Sequence, residues 1–232
     1  MFMTAFLPED AEKGSNAEEA YAEVLGRLRL GLIAPGDRIV DKALAAELGM
    51  SRMPAREALL RLVHEGYLVG STRGFRLPTP SNADILEIFE IRKMLEPRAA
   101  AMAVVEMTPE SLATLEAAFA DAQKAYEKDD MMALFNANVA FREAWLAVVP
   151  NVRLVAMIHR HFDQVNAVRL ATLHDKETRA ISVTIASTLL AGFRRRDSLY
   201  VYEQMLSFIE NARLRFVALN PFDELGLGSE DK

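Results

Sequence analysis

The chain has 232 residues, 51% hydrophobic and 26% charged, a composition typical of a globular protein with one large domain or two modest ones. It contains no cysteine, which excludes disulfides and thiolate chemistry, and no apolar run approaches the length of a membrane span. Residues 1–7 are too short for a signal peptide and lack its basic start, so a cytoplasmic protein without a membrane partner is expected.

The net charge of −6 is unevenly distributed along the chain. Residues 24–78 hold nine Lys or Arg against five Asp or Glu, a net of +4, whereas residues 1–23 and 79–232 each carry −5. A positive segment within an acidic chain is the pattern that contact with phosphate groups requires. The acidic total therefore argues little against nucleic-acid binding by residues 24–78.

The N-terminal residues 1–16 are acidic and lack periodicity, which predicts a flexible arm. From residue 17 onward, Ala20, Val24 and Leu28 recur at helical spacing. They predict a first amphipathic helix that ends near Gly31.

The stretch from Asp41 to Leu62 holds two short helical patterns separated by a break at Gly49-Met50-Ser51. Gly49 suits the left-handed conformation that ends a helix, and Ser51 is a favourable N-cap for the next one. Arg52 and Arg56 then share the outer face at the start of the second helix. A helix-turn-helix reads DNA with this end in the major groove, where arginine pairs with guanine or holds phosphate.

The alternative for this stretch alone is a helical hairpin with solvated arginines. The residues expected to face inward are Leu44, Ala45, Leu48, Ala55, Leu59, Leu62 and Val63.

Two short strand-like runs follow, Tyr67-Leu68-Val69 and Phe75-Arg76-Leu77, around a turn that contains glycine. They predict a hairpin, here a wing with Arg73 near its tip. Before the helix-turn-helix, a turn at residues 34–37 leads into Arg38-Ile39-Val40. Helix, turn, helix-turn-helix and wing follow one another in the order of a winged-helix domain, which we place at residues 17–78.

The segments GLIAPGDRI, LAAELGMSRMPAREALLRL and EGYLVGSTRGFRL closely resemble the DNA-binding domain of GntR-type bacterial transcription regulators, over about residues 19–78. The resemblance implies that Arg52 and Arg56 read the major groove and that the wing tip enters the adjacent minor groove. Lys42 and Arg38 would mainly hold phosphates. The expected DNA-binding residues are Arg38, Lys42, Ser51, Arg52, Arg56, Arg73 and Gly74.

After a stiff linker at residues 79–80, set by Pro78 and Pro80, every pattern in the chain is helical. Ser81 and Thr108-Pro109-Glu110 are strong helix starts. The protein is therefore expected to be mainly α, with an antiparallel all-α bundle of six or seven helices at residues 81–220 and a flexible tail at 221–232. The helices are expected at about 81–105, 108–128, 129–149, 152–172, 176–195 and 197–219.

The segments EIFEIRKMLEPRAA, NVAFREAWL and LLAGFRRRD resemble the C-terminal ligand-sensing domain of the FadR branch of the GntR family, called FCD. Most FCD domains hold a divalent metal with Asp or Asn and three histidines. The resemblance aligns these four ligand positions with Asn138, Arg142, Ala186 and Phe208. An alternative alignment on Glu177-Thr178-Arg179 would need an insertion and would place threonine at a ligand position. Arginine has no lone pair to donate to a metal. The four histidines of the chain do not replace the missing ligands, so we expect neither a metal nor a cofactor. These histidines are His64, His159, His161 and His174.

An arginine at residue 142 suggests a substitute for the metal. The cation of the metal-bearing relatives helps to bind a carboxylate effector, and the guanidinium of Arg142 would supply that charge. Arg92 would act as a second clamp, and Asn138 would orient a hydroxyl or carbonyl group. Two alternatives remain open, namely that Arg142 pairs with Glu96 or another carboxylate as a structural strut, or that it faces outward.

Together these observations predict a homodimeric transcription regulator, most simply a repressor, that binds double-stranded operator DNA at the nucleoid. A small carboxylate effector in the C-terminal domain would modulate its affinity for DNA. One alternative is a constitutive DNA-binding dimer with a degenerate sensor domain. The other is a helical-bundle enzyme, which the sequence disfavours because it has no cysteine, no Gly-rich phosphate loop and no HExxH motif.

Overall fold

Two compact units, divided between Thr79 and Pro80, make up the computed structural model. The structure describes residues 10–33, 36–165, 169 and 172–219, without the side chains of residues 10–15 and 164. The expected C-terminal tail, residues 1–9 of the expected arm and Ala34-Pro35 of the expected turn lie outside these ranges.

The first unit combines three helices with a small antiparallel sheet of strand order β1-β3-β2. Its elements are α1 (Asp10–Arg29), β1 (Arg38–Ile39), α2 (Asp41–Glu47), α3 (Arg52–His64), β2 (Val69–Ser71) and β3 (Gly74–Arg76).

Helix α1 begins at Asp10, seven residues before its expected start, so an arm extending to residue 16 is wrong for residues 10–16. The predicted periodicity is confirmed further along the helix. Ala20, Val24 and Leu28 are 0%, 1% and 6% exposed and pack on α3. These three side chains contribute to the core of the first unit because apolar surface is stabilised by removal from water.

The helix-turn-helix forms as its local signals predict. Gly49 adopts a φ of +66°, the left-handed conformation that ends α2 without a Cβ penalty. Five of the predicted inward residues are buried, and Leu48 and Val63 are partly buried against them. The buried ones are Leu44, Ala45, Ala55, Leu59 and Leu62.

The wing is shifted from its expected position. Strand β2 begins at Val69, and only Thr72 and Arg73 separate it from β3. Leu68 is buried in the core ahead of the strand. A further pairing was not predicted: β1 runs antiparallel to β3, with Ile39 opposite Phe75. Through this pairing, β1 connects the segment before the helix-turn-helix to the wing.

The second unit is an all-α bundle, as predicted. Two of its helix starts are the expected ones: Ser81 forms a capping box with Asp84, and Thr108 forms one with Ser111. Helix α7 ends at Gln164, short of the expected residue 172. The helices in the described ranges are α4 (Asn82–Glu106), α5 (Pro109–Glu127), α6 (Met131–Leu146), α7 (Val152–Gln164), α8 (Lys176–Arg195) and α9 (Ser198–Leu219).

The core of the bundle lies between α4, α6, α8 and α9, with α4 packed along α9 and α5 along α6. Trp145, Phe193 and Met205 are each at most 2% exposed there. None of the described helices combines the length and apolar character needed to cross a membrane. A cavity lies inside this bundle and is described below.

Candidate functional site

The predicted DNA-reading arginines lie at the start of α3, on its exposed face. Arg52 is the first residue of the helix and Arg56 lies one turn later, and their side chains are 65% and 50% exposed. Ser51 occupies the N-cap position, but its side chain makes no capping hydrogen bond. Its hydroxyl is exposed beside the two arginines. This arrangement leaves both guanidinium groups accessible to a ligand outside the unit.

Asp41, which the sequence analysis did not single out, holds both of these arginines. Its Oδ1 lies 3.0 Å from Nε of Arg52, and its Oδ2 accepts a hydrogen bond from Nη1 of Arg56 at 3.1 Å. Burial raises the pKa of the Asp41 carboxyl, but the hydrogen bonds from Arg52 and Arg56 outweigh it and leave the pKa below its ordinary value. Asp41 is 4% exposed and ionised near neutral pH. This buried carboxylate therefore orients the exposed guanidinium groups of Arg52 and Arg56.

The remaining predicted DNA contacts flank this pair. Lys42 is exposed in the first turn of α2, and Arg38 is exposed on β1 opposite Arg76 of β3. Arg73 is exposed in the turn of the wing. Its backbone N–H donates to Oγ of Ser71 at 3.3 Å, and that hydroxyl donates to the carbonyl of Gly74 at 2.9 Å. These bonds give the wing tip a defined shape.

Gly74 allows the wing to approach β1 closely. Its φ is +127°, and a Cβ at this position would lie 2.7 Å from the carbonyl oxygen of Ile39. A side chain here would meet both backbone strain and a steric clash. Glycine is therefore a requirement of the fold at residue 74, in addition to any contact with DNA.

A second candidate site is a cavity of about 160 Å³ within the bundle. Its described walls come from α4, α6, α8 and α9, together with Phe162, Val165, Arg169, Thr172 and Leu173. All four positions that the resemblance aligned with metal ligands line it: Asn138, Arg142, Ala186 and Phe208. Arg92 lines it as well, so the structure brings together all the predicted effector contacts.

These residues do not fit the divalent metal of the resembled domains. Arg142 carries a fixed positive charge, and the side chains of Ala186 and Phe208 have no lone pair to donate. Among the described residues, no group of three His, Cys, Asp or Glu side chains is placed to hold a metal ion. The cavity presents arginine guanidinium groups where the resembled domains hold a divalent metal ion.

Arg142 faces into the protein, so the alternative in which it faces outward is wrong. It is 4% exposed, and its guanidinium carbon lies 3.1 Å from the centroid of the Phe162 ring. Its Nη2 donates to Glu143 at 3.0 Å and lies 3.9 Å from Asp163. Burial lowers the pKa of Arg142, although the charges of Asp163 and Glu143 oppose this shift. Its Nε and Nη1 are buried and have no hydrogen-bond partner within the described ranges.

Glu96, the partner considered for Arg142, pairs with Arg92 instead. The two residues lie four apart on α4, with Nε to Oε1 at 2.5 Å and Nη2 to Oε2 at 3.4 Å. Both side chains are at most 5% exposed. Because Arg92 uses its Nε–Nη2 edge on Glu96, a ligand would meet only the remaining N–H groups of Nη1 and Nη2.

Arg169 is a cavity residue that sequence reasoning missed. Its guanidinium carbon lies 4.0 Å from the centroid of the Phe162 ring, the ring that Arg142 also contacts. Burial lowers the pKa of Arg169 well below its usual range, and the charges of Arg142 and Arg92 lower it further. Arg169 lies beyond the end of α7 at Gln164, so the periodicity of that helix gives no signal for it.

Two family descriptions match the chain. Residues 16–74 match the bacterial regulatory proteins of the gntR family, and residues 87–211, more than half of the chain, match the FCD domain. The chain is 43% identical over 119 residues to the HTH-type transcriptional regulator McbR of Escherichia coli (strain K12), a match that covers 51% of this chain and 54% of McbR. It is 36% identical over 96 residues to the uncharacterized HTH-type transcriptional regulator YdhC of Bacillus subtilis (strain 168), covering 41% of this chain and 43% of YdhC. The matches thus span about half the length of these curated relatives.

Solved structures extend the likeness to both units. The structure of E. coli McbR/YncC matches with a TM-score of 0.77 at 30% identity, covering 88% of this chain and 98% of that one. A putative GntR regulator from Rhodococcus sp. RHA1 matches with a TM-score of 0.72 at 17% identity, covering 88% of this chain and 98% of that one, which shows a shared fold. The curated relatives are named as transcriptional regulators, which confirms the prediction of a regulator rather than an enzyme. The chain belongs to the GntR family of bacterial regulatory proteins, and its architecture is that of a DNA-binding transcriptional regulator with a C-terminal FCD domain.

Proposed function

We propose that this regulator binds operator DNA as a homodimer and that a small organic acid in the bundle cavity controls its affinity for DNA. In the simplest arrangement it represses transcription from the cytoplasm, at the nucleoid, and the effector relieves repression. The observation that carries the proposal is the state of Arg142, a buried cation in the cavity with two nitrogens that lack a hydrogen-bond partner in the described ranges.

The DNA half of the proposal is supported by Arg52 and Arg56. Both are exposed at the N-terminal end of α3, and both are oriented by Asp41. A guanidinium held in this way can donate two hydrogen bonds to the O6 and N7 acceptors of guanine. Lys42 and Arg38 would hold phosphates, and Arg73 with Gly74 would follow the minor groove. In a symmetric dimer, the two N-terminal DNA-binding units would read the two half-sites of a pseudo-palindrome.

The effector half is supported by the cost of leaving a buried guanidinium only partly hydrogen-bonded. A buried donor without a partner destabilises a protein by about 1–3 kcal/mol, and more when it is charged. A carboxylate that accepts from Nε or Nη1 of Arg142 would remove that cost. Asn138 lines the same cavity and would orient a hydroxyl or carbonyl of the ligand. Effector binding then regulates DNA affinity to the extent that the effector binds the free and DNA-bound forms differently.

The proposal is tested in two steps with the full chain. Selection from a random duplex library, followed by fluorescence anisotropy, should recover an inverted repeat that binds more tightly than its scrambled version. Operator affinity is then measured against a panel of small carboxylates. An acid that changes operator affinity for the parent chain, and not for Arg142→Gln, supports the proposal. If no acid changes operator affinity, the protein is instead a constitutive DNA-binding dimer.

A further inference from the structure

We infer that the cavity binds a monocarboxylate whose apolar body is about the size of a benzene ring, and that it does so without a metal ion. This inference rests on the proposed effector function and specifies the chemical class of the ligand. It follows from three properties of the cavity: the distribution of its charges, the nature of its walls and its volume.

The charges limit the ligand to a single carboxylate. Among the described residues, the charged side chains that line the cavity are four arginines and Glu96. Arg92 is paired with Glu96, and Arg215 lies 2.6 Å from Asp175 and 2.8 Å from Glu177. Within the described ranges, two nitrogens of Arg142, Nε and Nη1, are buried without a hydrogen-bond partner. Of the other lining arginines, Arg215 has one such nitrogen, its Nε.

Arg169 also favours a single carboxylate in the cavity, because it lies beside Arg142 and does not form a second anion site. It contacts the Phe162 ring together with Arg142, and the two positive charges repel each other. One carboxylate placed beside that ring would lower the repulsion between both guanidinium groups. A second carboxylate on the same ligand would lie close to Glu96, against apolar walls, or beside Arg215, whose guanidinium already pairs with Asp175 and Glu177. Burial of a charge that is not neutralised is strongly unfavourable.

The walls away from Arg142 are largely apolar and aromatic. They include Phe89, Phe141, Trp145, Ala186, Leu189 and Phe208. The volume of about 160 Å³ is close to the roughly 150 Å³ of an engineered apolar cavity that holds benzene. A ligand with its carboxylate at Arg142 would therefore place a compact ring or a branched aliphatic group against these walls.

Calorimetric titration of the full chain with benzoate and two matched compounds tests the inference. Benzamide keeps the shape of benzoate and removes its charge, and phthalate keeps the ring and adds a second carboxylate. We expect one benzoate per chain, bound at least about tenfold more tightly than either compound, because a charge-assisted hydrogen bond is lost in one case and an unpaired charge is buried in the other. The affinity for benzoate should not change when zinc or a chelator is added.

Variants assign the binding to this cavity. Arg142→Gln should weaken benzoate at least about tenfold and leave benzamide unchanged. Arg194→Gln is the matched control, because Arg194 is a surface arginine paired with Glu116 and lies outside the cavity. Ala186→Val provides an independent test by narrowing the cavity, and it should weaken benzoate more than acetate. Trp145, the single tryptophan of the chain, lines the cavity and should report benzoate by a fluorescence change.

Each result decides between the inference and the function on which it rests. Tighter binding of phthalate than of benzoate, or a need for zinc, would overturn the monocarboxylate inference. The proposal that an organic acid regulates DNA binding would not be affected. Equal weakening of benzoate and acetate by Ala186→Val would overturn the size argument. If none of these acids binds and none changes operator affinity, both the inference and the proposed effector function fail.

Discussion

Asp41 Oδ2 accepts a hydrogen bond from Nη1 of Arg56 at 3.1 Å, which joins the buried start of α2 to the exposed face of α3. The other carboxylate oxygen of Asp41 contacts Arg52. One buried acid thus restricts the conformations of two long side chains before any DNA is bound. An arginine that is already oriented loses less side-chain entropy when it pairs with a base.

Asp41→Asn should therefore reduce discrimination between operator and scrambled DNA, by about tenfold, or about 1.4 kcal/mol. Asparagine keeps the shape of the side chain but removes the charge that holds both arginines. Affinity for non-specific DNA should stay the same or rise, because a negative charge is lost beside the interface. Anisotropy with the two duplexes measures both quantities. Glu57→Gln, which removes an exposed negative charge from α3, is the control, and an equal loss of discrimination in that variant would exclude a positioning role for Asp41.

Arg52→Ala and Arg56→Ala should each cost about 1–3 kcal/mol of operator discrimination if these side chains pair with base edges. The loss should be largest for operators that keep the guanine each arginine reads. Competition titrations with singly substituted operators measure this dependence. Uniform weakening on all duplexes would show that the two arginines hold phosphates instead.

Lys42→Ala should weaken binding to operator and scrambled DNA by the same factor. A phosphate contact releases counterions, so the slope of log K against log salt should fall by about 0.9 for each contact removed. Affinities measured across a range of salt concentrations give that slope. A change in sequence preference without a change in slope would contradict the assignment of Lys42 to phosphate.

Gly74→Ala should destabilise the first unit by about 1–3 kcal/mol, because residue 74 has a φ of +127° and the new Cβ would lie 2.7 Å from the Ile39 carbonyl. Thermal unfolding of the full chain measures the loss. Gly70→Ala, in strand β2 of the same wing, is the matched control, since its Cβ would meet nothing within 4 Å. Similar unfolding temperatures for the two variants would show that the wing relaxes around residue 74.

Glu143 should make the stability of the bundle sensitive to acid. Burial raises its pKa, but the hydrogen bond from His159 and the charge of Arg142 outweigh burial and lower the pKa to about 2. Because the pKa is lower in the folded state, the stabilisation is complete above about pH 4.5 and is lost as the pH falls toward about 2. Urea unfolding between pH 5 and 3, as a rough window, should show a smaller loss for Glu143→Gln. Identical losses in the two proteins would mean that other carboxyl groups dominate.

Local signals predicted most of the fold. The left-handed conformation at Gly49 and the capping box at Ser81 depend on residues within a few positions of one another, so the sequence displays them directly. The i,i+4 spacing of Arg92 and Glu96 was also available as a sign of their pairing. The start of α1 at Asp10 differs from the predicted one because residues 10–16 are acidic and lack the apolar periodicity that marks a helix in sequence.

The sequence by itself determined the kinds of elements and the exposed arginines of α3, and its resemblance to the FCD domain predicted an arginine, Arg142, at one of the metal-ligand positions. Tertiary structure alone decided which charges from different segments meet. Asp41 lies 11 and 15 positions from the arginines that it holds, and Arg169 reaches the ring that Arg142 contacts from a different segment. Such contacts depend on how helices pack rather than on spacing within one helix, and burial then sets how strongly the charges interact.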